Sequence, residues 1–462
     1  MKMRGCLLVV IVCASALLSP GTATAQSVTS LTVLRGLTPV ATLDNTDAGR
    51  AALAANLTVT GAIQNGIANQ PTLLPFPDQQ QQALRDAFIT DGNAYQLADG
   101  LGTALGDAYQ RLTSYTRDAD GNEDYTNVSP AVANLIAYAS DVTKTDSNAG
   151  KYFFANATTD GKEPVSPEAL AILHQAGGVT DIFGKAYDLP AGSEGADAYG
   201  DSRPFQTEPH LLTYGGPDFF GNPSDNSSWL RGPEQNLVDS PSYPSGHTTY
   251  GYTESLMLAL LVPDRYPEMM VRAAEYGNDR VIIGAHYAMD VLGGRTLATY
   301  DVAHLLANAA GYVGVERDGV RIDDFRHALA AARTDLTGAL AGACGNAVAV
   351  CARDDQSRFA RPEDNARFVD ATQTYGLPAV FGQNVNAAVD VGKVAPEAGY
   401  LLTAAYPYLS LEQANAILTA TLGPGGGFLD DGSAFGVYSR LDLHRAAQQA
   451  LAEAPGQAAG PS

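Results

Sequence analysis

The sequence predicts an all-α fold: a helical bundle with further helical segments before and after it. Three observations lead there. Apolar and polar residues rarely alternate as a half-buried strand requires, so strand signals are scarce. Helical stretches at 248–261, 267–283 and 286–310 follow one another with only short breaks. No internal repeat is present.

In chain order, residues 26 to about 65 mix Thr, Ala and Asn with scattered Leu and Val, and read as an irregular lead-in. From 77 to 107 the pattern is helical, with Gln79 to Gln82 as a polar start and Leu84, Phe88, Tyr95 and Leu97 as apolar positions. Residues 117–125 are rich in Asp but lack the spacing of an EF-hand, so they predict a solvated loop and not a calcium site. Further helices are expected at 129–140 and 166–183, the second capped by Ser166 with Pro167 in its first turn. Residues 192–201 and 214–235 are glycine-rich loops. From Ile322 the chain is mostly helical until Ala454-Pro455, where a frayed tail begins. The organisation that follows is a leader at 1–25, an N-terminal helical extension at 26–160, a core at 161–313 and a C-terminal helical segment at 314–462 packed on that core.

Composition narrows the function. The 462 residues carry 28 basic and 50 acidic side chains, a formal charge of −22. So acidic a surface repels phosphate backbones and excludes a basic nucleic-acid binder. Lys2 and Arg4, the apolar run 6–18, a break at Pro20-Gly21 and the small residues Ala23-Thr24-Ala25 read as a secretory signal. Thirteen apolar residues are too few to span a bilayer, so an exported, cleaved chain is expected, secreted or periplasmic, without stable membrane insertion. Cleavage would leave two cysteines, and Cys344 with Cys351 in an exported chain predicts a disulfide closing a small loop.

Three fragments carry chemistry: Ser202-Arg203-Pro204-Phe205, Tyr243-Pro244-Ser245-Gly246-His247-Thr248, and the run from Asp279-Arg280 through Gly284 to His286 and Asp290. Arginine presents a fork of donors that matches phosphate oxygens and keeps its charge at any working pH. Pro-Ser-Gly-His is a turn into a helix: glycine lets backbone approach a ligand, serine offers a hydroxyl, and the following N–H groups point at an anion. Together they make a local anion hole on a chain that repels anions globally. His286 and Asp290 are four apart, so on a helix the carboxylate can accept Nδ1–H and leave Nε2 free to attack. Arg280 lies six before His286, off its face on a continuous helix, so both reach one pocket only if the helix breaks. Gly284 is the expected break, which would put His286 in the first turn of a new helix.

This order and spacing resembles the signature of the type 2 phosphatidic acid phosphatase and vanadium haloperoxidase superfamily: Lys-x6-Arg-Pro, Pro-Ser-Gly-His, and Ser-Arg-x5-His-x3-Asp. Residues 243–251 and 276–295 are most similar to the secreted class A bacterial non-specific acid phosphatases. The resemblance implies their helical bundle, a core with phosphatase activity and a phosphomonoester substrate. It implies His286 as the nucleophile that forms a phosphohistidine, Asp290 as its orienting carboxylate and His247 as general acid. Arg203, Arg280, Ser245 and the Gly246 N–H would bind phosphoryl oxygens, and no metal or other cofactor is implied.

Two departures stand out. The pattern's lysine falls on Ala196, and the nearest upstream candidate is Lys185; Asp279 stands where the pattern has Ser and could pair with Arg280 or point outward. A vanadate-dependent haloperoxidase is the alternative, with His286 on vanadium and His247 assisting peroxide activation, but the displaced lysine counts against it. A membrane-lipid phosphatase is disfavoured because an acidic surface is repelled by anionic headgroups. A non-catalytic binding protein would not need a nucleophile, an acid and two arginines.

Overall fold

Two helices buried on nearly every side lie at the centre of the molecule. The computed structural model describes residues 28–67, 72–178, 181–208, 210–227 and 237–454. The expected leader and the frayed tail lie outside the described residues, as does 228–236 of the second glycine-rich loop. In chain order the helices used below are α1 (Val28–Leu37), α2 (Asp47–Gln64), α3 (Phe76–Asp86), α4 (Thr103–Leu112), α5 (Pro130–Asn156), α6 (Pro167–Gln175), α7 (Ile182–Ala186), α8 (Pro204–Thr207), α9 (Gly246–Leu261), α10 (Tyr266–Ile282), α11 (Ala288–Leu306) and α12 (Phe325–Cys344). Extended structure among the described residues is confined to antiparallel two-stranded ribbons. The fold is all-α.

The central pair is α9 and α11. Every residue of α9 except Gly246 and Tyr250 is buried, and every residue of α11 except His304. A helix without a polar face must be enclosed by others, and α5, α10 and α12 do this. Glycine permits the closeness. A Cβ on Gly294 of α11 would stand 2.5 Å from the Ser245 carbonyl oxygen, and one on Gly251 of α9 would stand 2.1 Å from the Tyr276 ring on α10. The glycines of the motif region therefore set the Pro-Ser-Gly-His turn directly on α11.

The helices differ from the expected ones where glycine or capping intervenes. The lead-in is not irregular: α1 buries Val33, Leu34 and Leu37, and Thr46 caps α2 by accepting the Gly49 N–H at 3.0 Å. The predicted helix over 77–107 is broken near Gly92 and Gly102, at φ +77° and +85°, leaving α3, a short 3-10 turn at Leu97–Leu101, and α4. Gly177 and Gly178, both at positive φ, split 166–183 into α6 and α7. The Asp-rich segment is a hairpin turn in which Asp118 accepts the N–H groups of Asp120 and Asn122 at 2.9 Å.

The helix expected at 129–140 runs on for 27 residues as α5. Sequence places α5 in the N-terminal extension, yet it packs against α1, α9, α11 and α12. One continuous apolar cluster runs from Val33 through the core to Ala450. Leu329, Ala332, Leu336 and Leu340 form the buried stripe of α12, at the spacing of one helix face. Cys344 and Cys351 are disulfide-bonded at its end.

Candidate active site

The site forms where α10 ends, α11 begins and α9 begins. Gly284, at φ +83°, stops α10 at Ile282. The chain then folds back, and the N–H groups of Ala285 and His286 donate to the Arg280 carbonyl at 3.0 and 3.2 Å. The break expected at Gly284 thus brings Arg280 and His286 to one place. His286 itself stays in the turn, because α11 starts only at Ala288, with Tyr287 as N-cap. It is therefore not in a first helical turn. Asp290 is the third residue of α11, and its Oδ2 accepts the Tyr287 N–H at 2.8 Å. Capping therefore fixes the carboxylate 3.3 Å from His286 Nδ1.

Arg203 arrives from the start of α8. The Phe205 N–H donates to the Gly284 carbonyl at 3.1 Å, tying α8 to the turn that holds His286. The guanidinium is buried, donating to the carbonyls of Ser240 and Ala285 at 2.7 and 2.9 Å, with Nη1 3.1 Å from His286 Nε2. Since Arg203 can only donate, Nε2 is the acceptor and the His286 proton sits on Nδ1, toward Asp290. His247 Nδ1 lies 2.9 Å from the same Nε2 and must therefore be the donor there. Ser245 caps α9, its Oγ accepting the Thr248 N–H at 3.0 Å.

Electrostatics follow from burial. His286 is held well below the usual histidine pKa by burial, then by Arg203, His247, Arg280 and Lys151, so its imidazole is neutral. Burial pushes Asp290 up to about 7, while bonds from Ser242 Oγ and the Tyr287 N–H favour its charged form. Burial and the neighbouring Arg280 lower Arg203 to about 10. Arg280 is only 1% exposed, and none of its three guanidinium nitrogens has a hydrogen-bond partner among the described residues. Buried charges are normally paired, and an oxyanion matches this donor fork.

The structure brings together His247, His286, Asp290, Arg203, Arg280, Ser245 and Gly246. It does not bring Lys185, which lies exposed on α7. Asp279 neither pairs with Arg280 nor points outward. It is buried, accepts from Gln79 Nε2 at 2.8 Å, and is pushed well up by burial and by Asp86 and Glu275.

Three site residues have no motif to announce them. Ser242 Oγ donates to Asp290 Oδ2 and lies 3.3 Å from His286 Nδ1. Ser240 Oγ accepts from Arg203 Nη2 at 3.2 Å and from Lys151 Nζ at 3.4 Å. Lys151 comes from α5, and a Cβ on Gly246 would stand 3.6 Å from its Nζ. The repeated serines at 240 and 242 were the one available signal. Among the described residues no group of three His, Cys, Asp or Glu side chains is placed to hold a metal ion.

Residues 195–309 match the family model of the PAP2 superfamily. That segment contains Arg203, Ser245, Gly246, His247, Arg280, His286 and Asp290, the residues that carry the motif resemblance. Among curated proteins, an acid phosphatase of Zymomonas mobilis is 34% identical over 102 residues, 22% of this chain and 33% of that protein. A non-specific acid phosphatase of Salmonella typhimurium is 42% identical over 81 residues, 17% of this chain and 32% of that protein. One of Providencia stuartii is 28% identical over 144 residues, 29% of this chain and 56% of that protein. The chain spans about a third of the length of the first two. The relationship to the PAP2 superfamily and to bacterial non-specific acid phosphatases thus rests on the segment that builds the site.

Proposed function

We propose that the chain is an acid phosphatase that hydrolyses phosphomonoesters through a phosphohistidine on His286, without a metal. The observation that carries this reading is the convergence of Arg203 Nη1 and His247 Nδ1 on His286 Nε2, at 3.1 and 2.9 Å. A neutral imidazole, oriented through Nδ1, meets at its other nitrogen a cation and a proton donor. That is the set an in-line phosphoryl transfer needs.

The steps balance as follows. Nε2 attacks phosphorus and the ester P–O bond breaks, while the departing oxygen takes the proton from His247 Nδ1. Asp290 stabilises the charge that His286 gains. His247 then accepts a proton from water as that oxygen attacks phosphorus, the P–N bond breaks, and phosphate leaves. Arg203, Arg280 and the Gly246 N–H hold the equatorial oxygens. Ser245 fixes the turn by accepting the Thr248 N–H, which leaves its O–H free to donate to a phosphoryl oxygen.

An exported location, secreted or periplasmic, fits the leader-like start and the relatives' kind. No helix among the described residues is long and apolar enough to cross a membrane. A small phosphomonoester is the partner the buried, acidic-protein setting favours over nucleic acid. The loop at 192–201, which flanks Arg203, and the hairpin loop after Tyr214 would select the leaving group.

The test is phosphate release from an aryl phosphate at about pH 5 to 6 with excess EDTA, for wild type and His286→Ala. Chelator-resistant activity lost in the variant supports the reading; equal activity in both removes it. Vanadate would be held by the same residues, with His286 Nε2 as its ligand, and when bound would supply peroxide activation for halide oxidation. Halide oxidation by vanadate-loaded protein, without phosphate release, would favour that alternative.

A further inference from the structure

We infer that Lys151, carried by α5 from outside the family-matched segment, is a third cation of the oxyanion site and binds a phosphoryl oxygen beside Arg203. This rests on the phosphoryl-transfer reading above. The sequence motif would draw such a cation from the loop before Arg203, but that position is Ala196, and Lys185 faces solvent.

Lys151 is only 9% exposed, and no carboxylate lies within ion-pair distance of it among the described residues. Its ammonium and the Arg203 guanidinium meet on one hydroxyl, Ser240 Oγ, at 3.4 and 3.2 Å. It also lies close to Gly246, the first residue of α9, where a Cβ would stand 3.6 Å from Nζ. An α carbon without a side chain there leaves the ammonium open to whatever the helix start binds. Two buried cations sharing one neutral acceptor repel each other, and an anion between them converts that repulsion into attraction.

The groups facing Lys151 define its charge. Burial and then Arg203, opposed by Asp197, Asp201 and Asp290, together lower its pKa to about 7. Asp197 and Asp201 come from the loop before Arg203, Asp290 comes from α11, and His286 lies in the turn before α11. A bound phosphate dianion must raise the lysine pKa, so phosphate and a proton bind together near and above neutrality. Lysine suits this role because burial shifts it into the working range, where arginine stays charged. The N-terminal helices are then part of the active site: without α5 the matched segment lacks one of its cations.

Inorganic phosphate is the probe, in full-length wild type, Lys151→Met and Lys185→Met. Calorimetry at about pH 5.5 should show phosphate binding weakened on the order of tenfold to a hundredfold in Lys151→Met and unchanged in Lys185→Met. In buffers of different ionisation heat at about pH 8, wild type should take up more protons per phosphate than Lys151→Met does. A merely structural lysine would not change that stoichiometry. Equal phosphate affinity and equal proton uptake in wild type and Lys151→Met would overturn the inference. If Lys151→Met does not fold, Lys151→Gln replaces it, and wild-type proton uptake no greater than that of phosphate's own titration would overturn the inference without any variant. Wild type that binds phosphate but hydrolyses no ester leaves this site standing and removes the phosphatase reading.

Discussion

His247 Nδ1 and His286 Nε2 lie 2.9 Å apart, with both rings buried and the Arg203 guanidinium against the same nitrogen. Because Arg203 forces Nε2 to accept, the proton between the rings belongs to His247. In the phosphoryl transfer proposed above, this one neighbour therefore makes His286 the nucleophile and His247 the acid, and the roles are not interchangeable.

That assignment predicts a leaving-group dependence. His247→Ala should lower turnover of an alkyl phosphate on the order of a hundredfold to ten-thousandfold, the usual worth of a general acid. With a nitrophenyl phosphate the departing oxygen needs little help, and the loss should be much smaller. His286→Ala should abolish both. Comparing turnover of the two esters in both variants checks this, and equal losses for both esters in His247→Ala would refute the acid role.

Ser242 should behave as a positioning residue. Its hydroxyl donates to Asp290 Oδ2 and lies against His286 Nδ1, opposing the burial that pushes Asp290 up. In Ser242→Ala the carboxylate loses that donor, its pKa rises further, and it stays protonated to higher pH. Turnover should fall about tenfold with KM nearly unchanged, since one hydrogen bond to a charged group is involved. The acid side of the pH–rate profile should move to higher pH. A change in KM alone would place Ser242 on the substrate instead.

How much of this was legible depends on distance along the chain. The break at Gly284 could be read because glycine and an impossible helical phase between Arg280 and His286 point to the same residue. His286 and Asp290, four apart, could be paired for the same local reason. Lys151 could not, because it reaches Ser240 across 89 residues, and nothing in the composition of α5 marks one lysine among its polar positions. From sequence alone Val28–Leu37 reads as irregular, since Thr and Val are weak helix formers. Its helix is made by packing against α5, which outweighs propensity. Asp279 misled for a related reason: it could be judged only against its neighbour Arg280, whereas its partners Gln79, Asp86 and Glu275 come from α3 and the previous turns of α10.

Stability should fall as pH rises. Burial pushes Asp201, Glu254, Asp279 and Asp301 well above their ordinary values. A carboxyl raised in the folded state gives stability that is complete below its unfolded pKa, about 4. That stability is lost as pH rises through the folded pKa, because the folded chain then binds protons that the unfolded chain has released. His286 acts oppositely, since its lowered pKa gives stability above about 6.5 that is lost on acidification. Asp99 also acts oppositely, but only at acid pH: burial raises it, and Arg272 with Arg358 more than reverse this. The raised carboxyls, Asp197 and Asp290 at about 7 included, outweigh His286, His444 and Lys151, whose lowered values act the other way, between about pH 5 and 9, and self-repulsion of the −22 charge adds to them. The thermal midpoint should therefore drop across that range, on the order of several degrees. A midpoint that climbs from pH 5 to 9 would contradict the protonated state of these buried acids.

Arg272 and Arg280 stand eight residues apart on α10, both buried, and they should respond to substitution in opposite ways. Arg272 donates to Asp86 through both terminal nitrogens at 2.6 and 2.8 Å and to Asp99 at 2.6 Å. Removing it leaves Asp86 uncompensated and Asp99 with Arg358 alone, which costs about 3–5 kcal/mol for a buried pair. Arg272→Met should therefore lower the denaturant midpoint sharply, and activity should fall only as the folded fraction does. Arg280 has no hydrogen-bond partner among the described residues, so its burial is an unrelieved cost. Arg280→Met removes that cost and should raise unfolding free energy by about 1 kcal/mol or more. The same change withdraws a donor fork from the developing charge, and turnover should drop on the order of a hundredfold to a thousandfold. Urea unfolding and aryl phosphate turnover measured on both variants separate the two roles. An Arg280→Met protein that is less stable and fully active would show that this guanidinium has a structural partner in solution and no oxyanion to hold.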